Sequence, residues 1–147
     1  MTVGIFQSHD TGMAALLGAG DWAANNHYAM LIKTAQIVDR THLTRADIIA
    51  NVCIDADYTN VDLTGEAITL VAQKTRFDCN KILFGSAVSI SGRFIYILNG
   101  TAAASIDGDI IVGCIDLNTE TGDVASLAAE FSYEPATSGL FEISRTA

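Results

Sequence analysis

The stretch RFIYILNGTAAASIDGDIIVGCIDL, residues 93–117, decides the fold class. Its two ends, RFIYILN (93–99) and DIIVGCIDL (109–117), are short and apolar on both faces. Central strands packed on both sides read this way. Turn chemistry marks the connection, with NG at 99–100 and DGD at 107–109. The spacing therefore predicts two central strands of a doubly covered sheet.

Working outward, period-two patterning extends in both directions. AITLVAQKT (67–75) places Ile68, Leu70 and Ala72 on one face, and FDCNKILF (77–84) follows with poorer alternation. LAAEFSYE (127–134) aligns Leu127, Ala129, Phe131 and Tyr133, and LFEISR (140–145) aligns Phe141 and Ile143. HYAMLIK (27–33) is short and apolar enough for a buried strand. Turn signals recur as SGR (91–93), TETGD (119–123) and PATSG (135–139). Helix is expected at 12–18, stopped by GAG, and at 41–51, where Thr44 and Asp47 resemble a capping box. No long helix separates the strands, so parallel crossovers are not expected. The prediction is a mainly β chain, an antiparallel β-sandwich or jelly-roll-like fold with one or two short helices. Residues 1–147 form a single domain, with 1–10 as an extended N-terminal arm.

Composition narrows the function. Seventeen carboxylates face eight Lys and Arg, for a formal charge of −9. Residues 94–147 carry Arg145 against eight acids, which disfavours nucleic acid and anionic lipid as partners. Cys53, Cys79 and Cys114 are far apart and odd in number, so they read as reduced, buried thiols made in a cytoplasm. The N-terminus lacks a basic region followed by an apolar run, and no segment approaches the ~20 apolar residues of a membrane helix.

The chemistry-bearing residues do not assemble into a motif. His9, His27 and His42 are isolated, and GSAVS (85–89) lacks the glycine spacing of a nucleophile elbow. DADYTNVDLTGE (55–66) places Asp55, Asp57, Thr59 and Glu66 where a calcium loop has ligands. Asn60 stands where that loop needs glycine, and a strand follows instead of a helix, so a solvated acidic loop is the expectation. No catalytic, cofactor or metal residues are expected.

Four pieces in order carry a resemblance: MAALLGAGDWAANNHYAMLIK (13–33), TNVDLTGEAITLVAQ (59–73), GRFIYILNGTAAASIDGDIIVGCIDLNTETGD (92–123) and AAEFSYEPATSGLFEIS (128–144). Together they resemble small tailed-bacteriophage virion proteins of the capsid cement or decoration group. The resemblance implies a virion-surface location, the major capsid protein as partner, assembly as a dimer or trimer, and no catalysis. Segment 34–58 and the Ala-rich loop 101–106 depart from the pattern, and such departures are where members make their own contacts. The capsid-contact candidates are Val3, Ile5, Phe6, Ile37, Leu43, Ile48, Asn99 and Ile106. Alternative readings are a tail or head-fibre component and a small jelly-roll carbohydrate-binding or hydrolase domain.

Overall fold

The computed structural model describes residues 4, 6–8, 26–72, 74–137 and 139–144. The helix expected at 12–18, together with Val3, Ile5 and His9, lies outside them. The strands are β1 (Phe6–Ser8), β2 (His27–Ile32), β3 (Val61–Asp62), β4 (Ala67–Val71), β5 (Lys74–Asp78) and β6 (Ile82–Val88). They continue with β7 (Ser91–Gly92), β8 (Phe94–Asn99), β9 (Ile111–Asp116), β10 (Val124–Ala125), β11 (Ala129–Tyr133) and β12 (Phe141–Ser144). The fold is mainly β and sandwich-like, with every strand pair antiparallel.

One layer is a five-stranded sheet ordered β1-β9-β8-β2-β3. The facing layer is divided into the pairs β11-β6 and β10-β7 and the triplet β12-β5-β4. Alternation sorts the large sheet's side chains as the sequence predicts. Ala29, Leu31, Ile95 and Ile97 point into a core shared with Phe77, Ile82, Phe84 and Phe131 of the facing layer. Tyr28, Met30, Ile32, Phe94, Tyr96 and Leu98 point the other way into a second core. In β9, Ile111 and Cys114 share the second core although they stand three positions apart, which strict alternation forbids. A register shift opposite Ile97 and Leu98 supplies the extra residue, Val112, whose side chain turns into the first core.

Among the described residues, the second core is covered by no second sheet. An irregular strap, residues 37–52, lies across it, seating Ile48 fully and Val38, Ile49 and Val52 in part. This corrects the helix expected over 41–51. Residues Arg45–Asp47 and Ile49–Asn51 form two 3₁₀ turns, while Thr44 bridges Ile110 and Val52 bridges Ile32 in extended backbone. Anchored at both ends on the sheet, the segment must cover its span with few residues, and a 3₁₀ turn rises ~2.0 Å per residue against ~1.5 Å in an α-helix.

Two predicted strands are also divided. AITLVAQKT turns at Ala72, whose φ of 54° lies in the left-handed region, so 67–71 and 74–78 form a hairpin closed by Val71 and Lys74. FDCNKILF breaks after Asp78, where that carboxylate accepts from Cys79 N–H (2.8 Å) and Asn80 N–H donates to the Thr64 carbonyl (2.8 Å).

The extended arm expected at 1–10 is, in its described part, an edge strand. Gly4 N–H donates to the Asp116 carbonyl (2.7 Å), and Phe6–Ser8 pairs with β9. The Phe6 ring stacks on Phe141 (4.6 Å), which stacks on Phe77 (4.5 Å). Gly113 makes room for it, because a Cβ there would run into the Phe6 ring and the Gln7 carbonyl. Gly113→Ala should therefore loosen β1 at a cost of about 1–3 kcal/mol. Thermal melting should show the loss, and amide exchange should locate it at Gly4 and 6–8 and their partners on β9.

Candidate functional site

Among the described contact candidates, Ile37, Leu43 and Ile48 lie on the strap, Asn99 and Ile106 flank or lie on the loop that follows β8, and Phe6 lies apart on β1. Three backbone hydrogen bonds join strap and loop, Arg45 N–H to the Asp109 carbonyl (2.8 Å), Ala46 N–H to the Asp107 carbonyl (3.1 Å) and Ile111 N–H to the Leu43 carbonyl (3.0 Å), and Asn99 N–H to the Ile110 carbonyl (2.9 Å) closes the loop on itself. Side chains reinforce the junction. Tyr28 Oη donates to Asp109 Oδ2 (2.7 Å), the same oxygen accepts from Ile106 N–H (2.9 Å), and Arg45 pairs with Asp107. Burial and the Asp109 carboxylate push the Tyr28 phenol well above its ordinary pKa, so it remains a donor. Asp47 accepts from Leu43 N–H (2.8 Å) and Thr44 N–H (2.9 Å), and these bonds hold its carboxyl below the usual range.

The strap's far end is pinned to β2. Cys53 N–H donates to the Leu31 carbonyl and Lys33 N–H to the Asn51 carbonyl, each at 2.8 Å. Asp55 then gathers Lys33 Nζ (3.0 Å), Ser91 N–H (2.7 Å) and Cys53 Sγ (3.3 Å). The Lys33 ammonium is the largest influence, and with Ser91 N–H it outweighs burial to hold the carboxyl at about 2.

On this framework the candidates separate. Ile37 (79% exposed), Ile106 (64%) and Leu43 (48%) project from the strap and the loop. Ile48 does not: it is wholly buried against the sheet and cannot touch a partner without unfolding the strap. Phe6 is half-buried in the ring stack, and Asn99 ends β8 opposite His27. Ile54 (85% exposed) was missed, lying between buried Cys53 and the Asp55 hub. Alternation along Cys53-Ile54-Asp55 points it outward, a signal present in the sequence. Between the strap, residues 58–62 and the 102–104 turn runs a groove of about 720 Å³, floored by Met30, Ile49 and Val52 and edged by Arg45, Asn60 and Ala102.

The acidic run 55–66 spreads its carboxylates among separate tasks. Asp57 accepts from Ser89 N–H (2.9 Å), Asp62 from Ala102 N–H, and Glu66 meets His27 Nδ1 (2.8 Å) with both side chains fully buried. Among the described residues, no group of three His, Cys, Asp or Glu is placed to hold a metal ion, and no helix is long and apolar enough to cross a membrane. Cys53, Cys79 and Cys114 are buried free thiols, and burial pushes Cys79 and Cys114 up to about 12. Such thiols are poor nucleophiles. No protein family, curated protein or solved structure matches the chain.

An unfolded aspartate takes up its proton near ~3.9, whereas Asp55 does so at about 2 in the fold. A lowered folded pKa adds stability above the unfolded value, and that stability fades as pH falls from about 4 to about 2. Asp55→Asn should melt lower than wild type at pH 7 and lose less stability than wild type across that acid window. Thermal melts at stepped pH check both.

Proposed function

We propose that the chain is a bacteriophage capsid cement (decoration) protein that binds and stabilises the major capsid protein lattice. The reading rests on the order of segments that resembles that group. The observation that carries it here is the mutually braced strap and loop, which hold Ile37, Leu43 and Ile106 outward on irregular backbone. A cement protein needs such a surface: apolar side chains held in place before binding lose little entropy on contact. A ladder of backbone bonds behind them keeps the scaffold from yielding. The acidic balance keeps closely spaced copies on a particle soluble.

In this reading the protein performs no reaction and requires no cofactor or metal. Its location is the virion surface, and its copies act together: many modest contacts over a lattice sum to high avidity. Binding to the expanded shell in preference to its precursor shifts the equilibrium toward the expanded form and resists internal pressure.

Capsids lacking the protein, incubated with purified chain, test the proposal. Wild type should bind at a copy number near that of the major capsid protein and raise the temperature at which particles release DNA. Ile37→Asp combined with Ile106→Asp should lower occupancy about tenfold or more. Both residues are exposed, so melting of the free protein should stay within about 0.5 kcal/mol of wild type. A few copies per particle, with no gain in heat resistance, would transfer the protein to the tail or head fibre.

A further inference from the structure

The triplet β12-β5-β4 ends in an open edge. β4 stands at that edge, all five of its residues are exposed, and no strand among the described residues pairs with its outer side. Ala67-Ile68-Thr69-Leu70-Val71 contains no charge, no proline and no glycine, and it runs against β5 without a register shift. Natural edge strands usually carry one of those devices to prevent pairing with another chain.

The hairpin's register shows which groups the edge offers. Val71 and Lys74 close a two-residue turn and so form a hydrogen-bonded pair. Pairs alternate along an antiparallel ladder, which puts Thr69–Arg76 and Ala67–Asp78 in the same class. The main-chain N–H and C=O of Ile68 and Leu70 therefore face outward.

We propose that β4 pairs antiparallel with β4 of a second copy about a two-fold axis at Thr69, joining two three-stranded sheets into one. In that register Ile68 exchanges both main-chain bonds with the second copy's Leu70, and Leu70 does the same with its Ile68. A two-fold centred on Ile68 would set Leu70 against the buried Glu66, and one centred on Leu70 would set Ile68 against the turn at Ala72. Only the Thr69 axis satisfies every outward group within the strand.

The side chains favour a second copy over a foreign strand. The row on the Phe77 face continues across the axis: Phe141, Phe77 and Ile68 of one copy lead to Leu70 of the other and, past Thr75, to its Ile143, covering a leucine that is 79% exposed alone. On the opposite face, the row holding Lys74 and Val71 leads to Ala67 and Asp78 of the second copy, with opposite charges at its ends. Arg76, on the central row, and Lys74 share the Glu142 carboxylate (2.9 and 3.0 Å), and Thr69 of each copy stands between Arg76 and the axis, so the two-fold does not confront bare cations. An edge this short falls in the weak class of interfaces, below ~1,200 Å² in total, so the dimer forms in proportion to concentration.

Sedimentation of the whole chain over a wide concentration range tests the pairing without any capsid, so its outcome is separable from that of the cement reading. Dimer should accumulate with concentration, and Leu70→Lys should weaken association by about tenfold or more while leaving the melting temperature unchanged. Under mild oxidation Thr69→Cys should yield a disulfide-linked dimer, because directly opposed residues in a non-hydrogen-bonded pair lie ~4.5 Å apart at Cα. Ala67→Cys should not, since the two copies would lie ~14 Å apart along the strand. The native thiols are buried and do not compete. A monomer at every concentration, a dimer indifferent to Leu70→Lys, or cross-linking at 67 as rapid as at 69 would each overturn the proposal, as would capture of a foreign strand by a chain that stays monomeric.

Discussion

A five-stranded sheet that is apolar on both faces imposes one demand on the rest of the chain: both faces must be shielded from water. β2 and β8 bury nearly every side chain they carry, and each large one is worth about 1.5–3 kcal/mol when removed from water. One face is met by the smaller sheets, through Phe77, Phe84 and Phe131. The other is met by the strap 37–52, which has little regular structure of its own and is held by what it covers. Ile48 is the seat of that strap, and the bridges at Thr44 and Val52 fix its two ends.

That demand explains where the polar groups lie. A strap without helix or sheet ladders leaves backbone groups that must be bonded elsewhere. Leu43 and Thr44 find Asp47, Arg45 and Ala46 find the carbonyls of 107–109, and Lys33 finds Asn51. The many aspartates of this acidic chain thus act as local acceptors: Asp55, Asp57, Asp62 and Asp109 each accept from a main-chain N–H. Asp55 and Asp57 serve the connection at 89–91, and Asp62 and Asp109 the loop that follows β8.

Six of the exposed apolar residues fall into two groups with different supports. Ile37, Leu43 and Ile106 stand on the braced strap and loop, while Ile68, Leu70 and Val71 stand on the open hairpin. The first group is carried by irregular backbone whose hydrogen bonds are already made, so it offers side chains only. The second offers side chains together with unpaired main chain, which is why strand addition suits it. A lattice-binding protein that also pairs with itself would use the two surfaces together.

The sequence alone determined the β class, the antiparallel arrangement, the burial of 27–32 and the double burial of 94–99 and 111–116. These follow from periodicity and turn residues, which are properties of neighbouring positions. It also marked Ile37, Leu43 and Ile106, which remain exposed. Tertiary structure alone decided that Ile48, a few residues from Leu43, belongs to the core, that Phe6 completes a ring stack over Gly113, and that 41–51 forms 3₁₀ turns despite a helical stripe. The stripe Leu43, Ala46, Ile49 and Ala50 has helical spacing, yet Leu43, Ala46 and Ala50 are exposed and the seat is Ile48, which lies off it. The difference between strap and helix lies in anchors distant along the chain, Ile32 for Val52 and Ile110 for Thr44, and long-range contacts of that kind leave no period in the sequence.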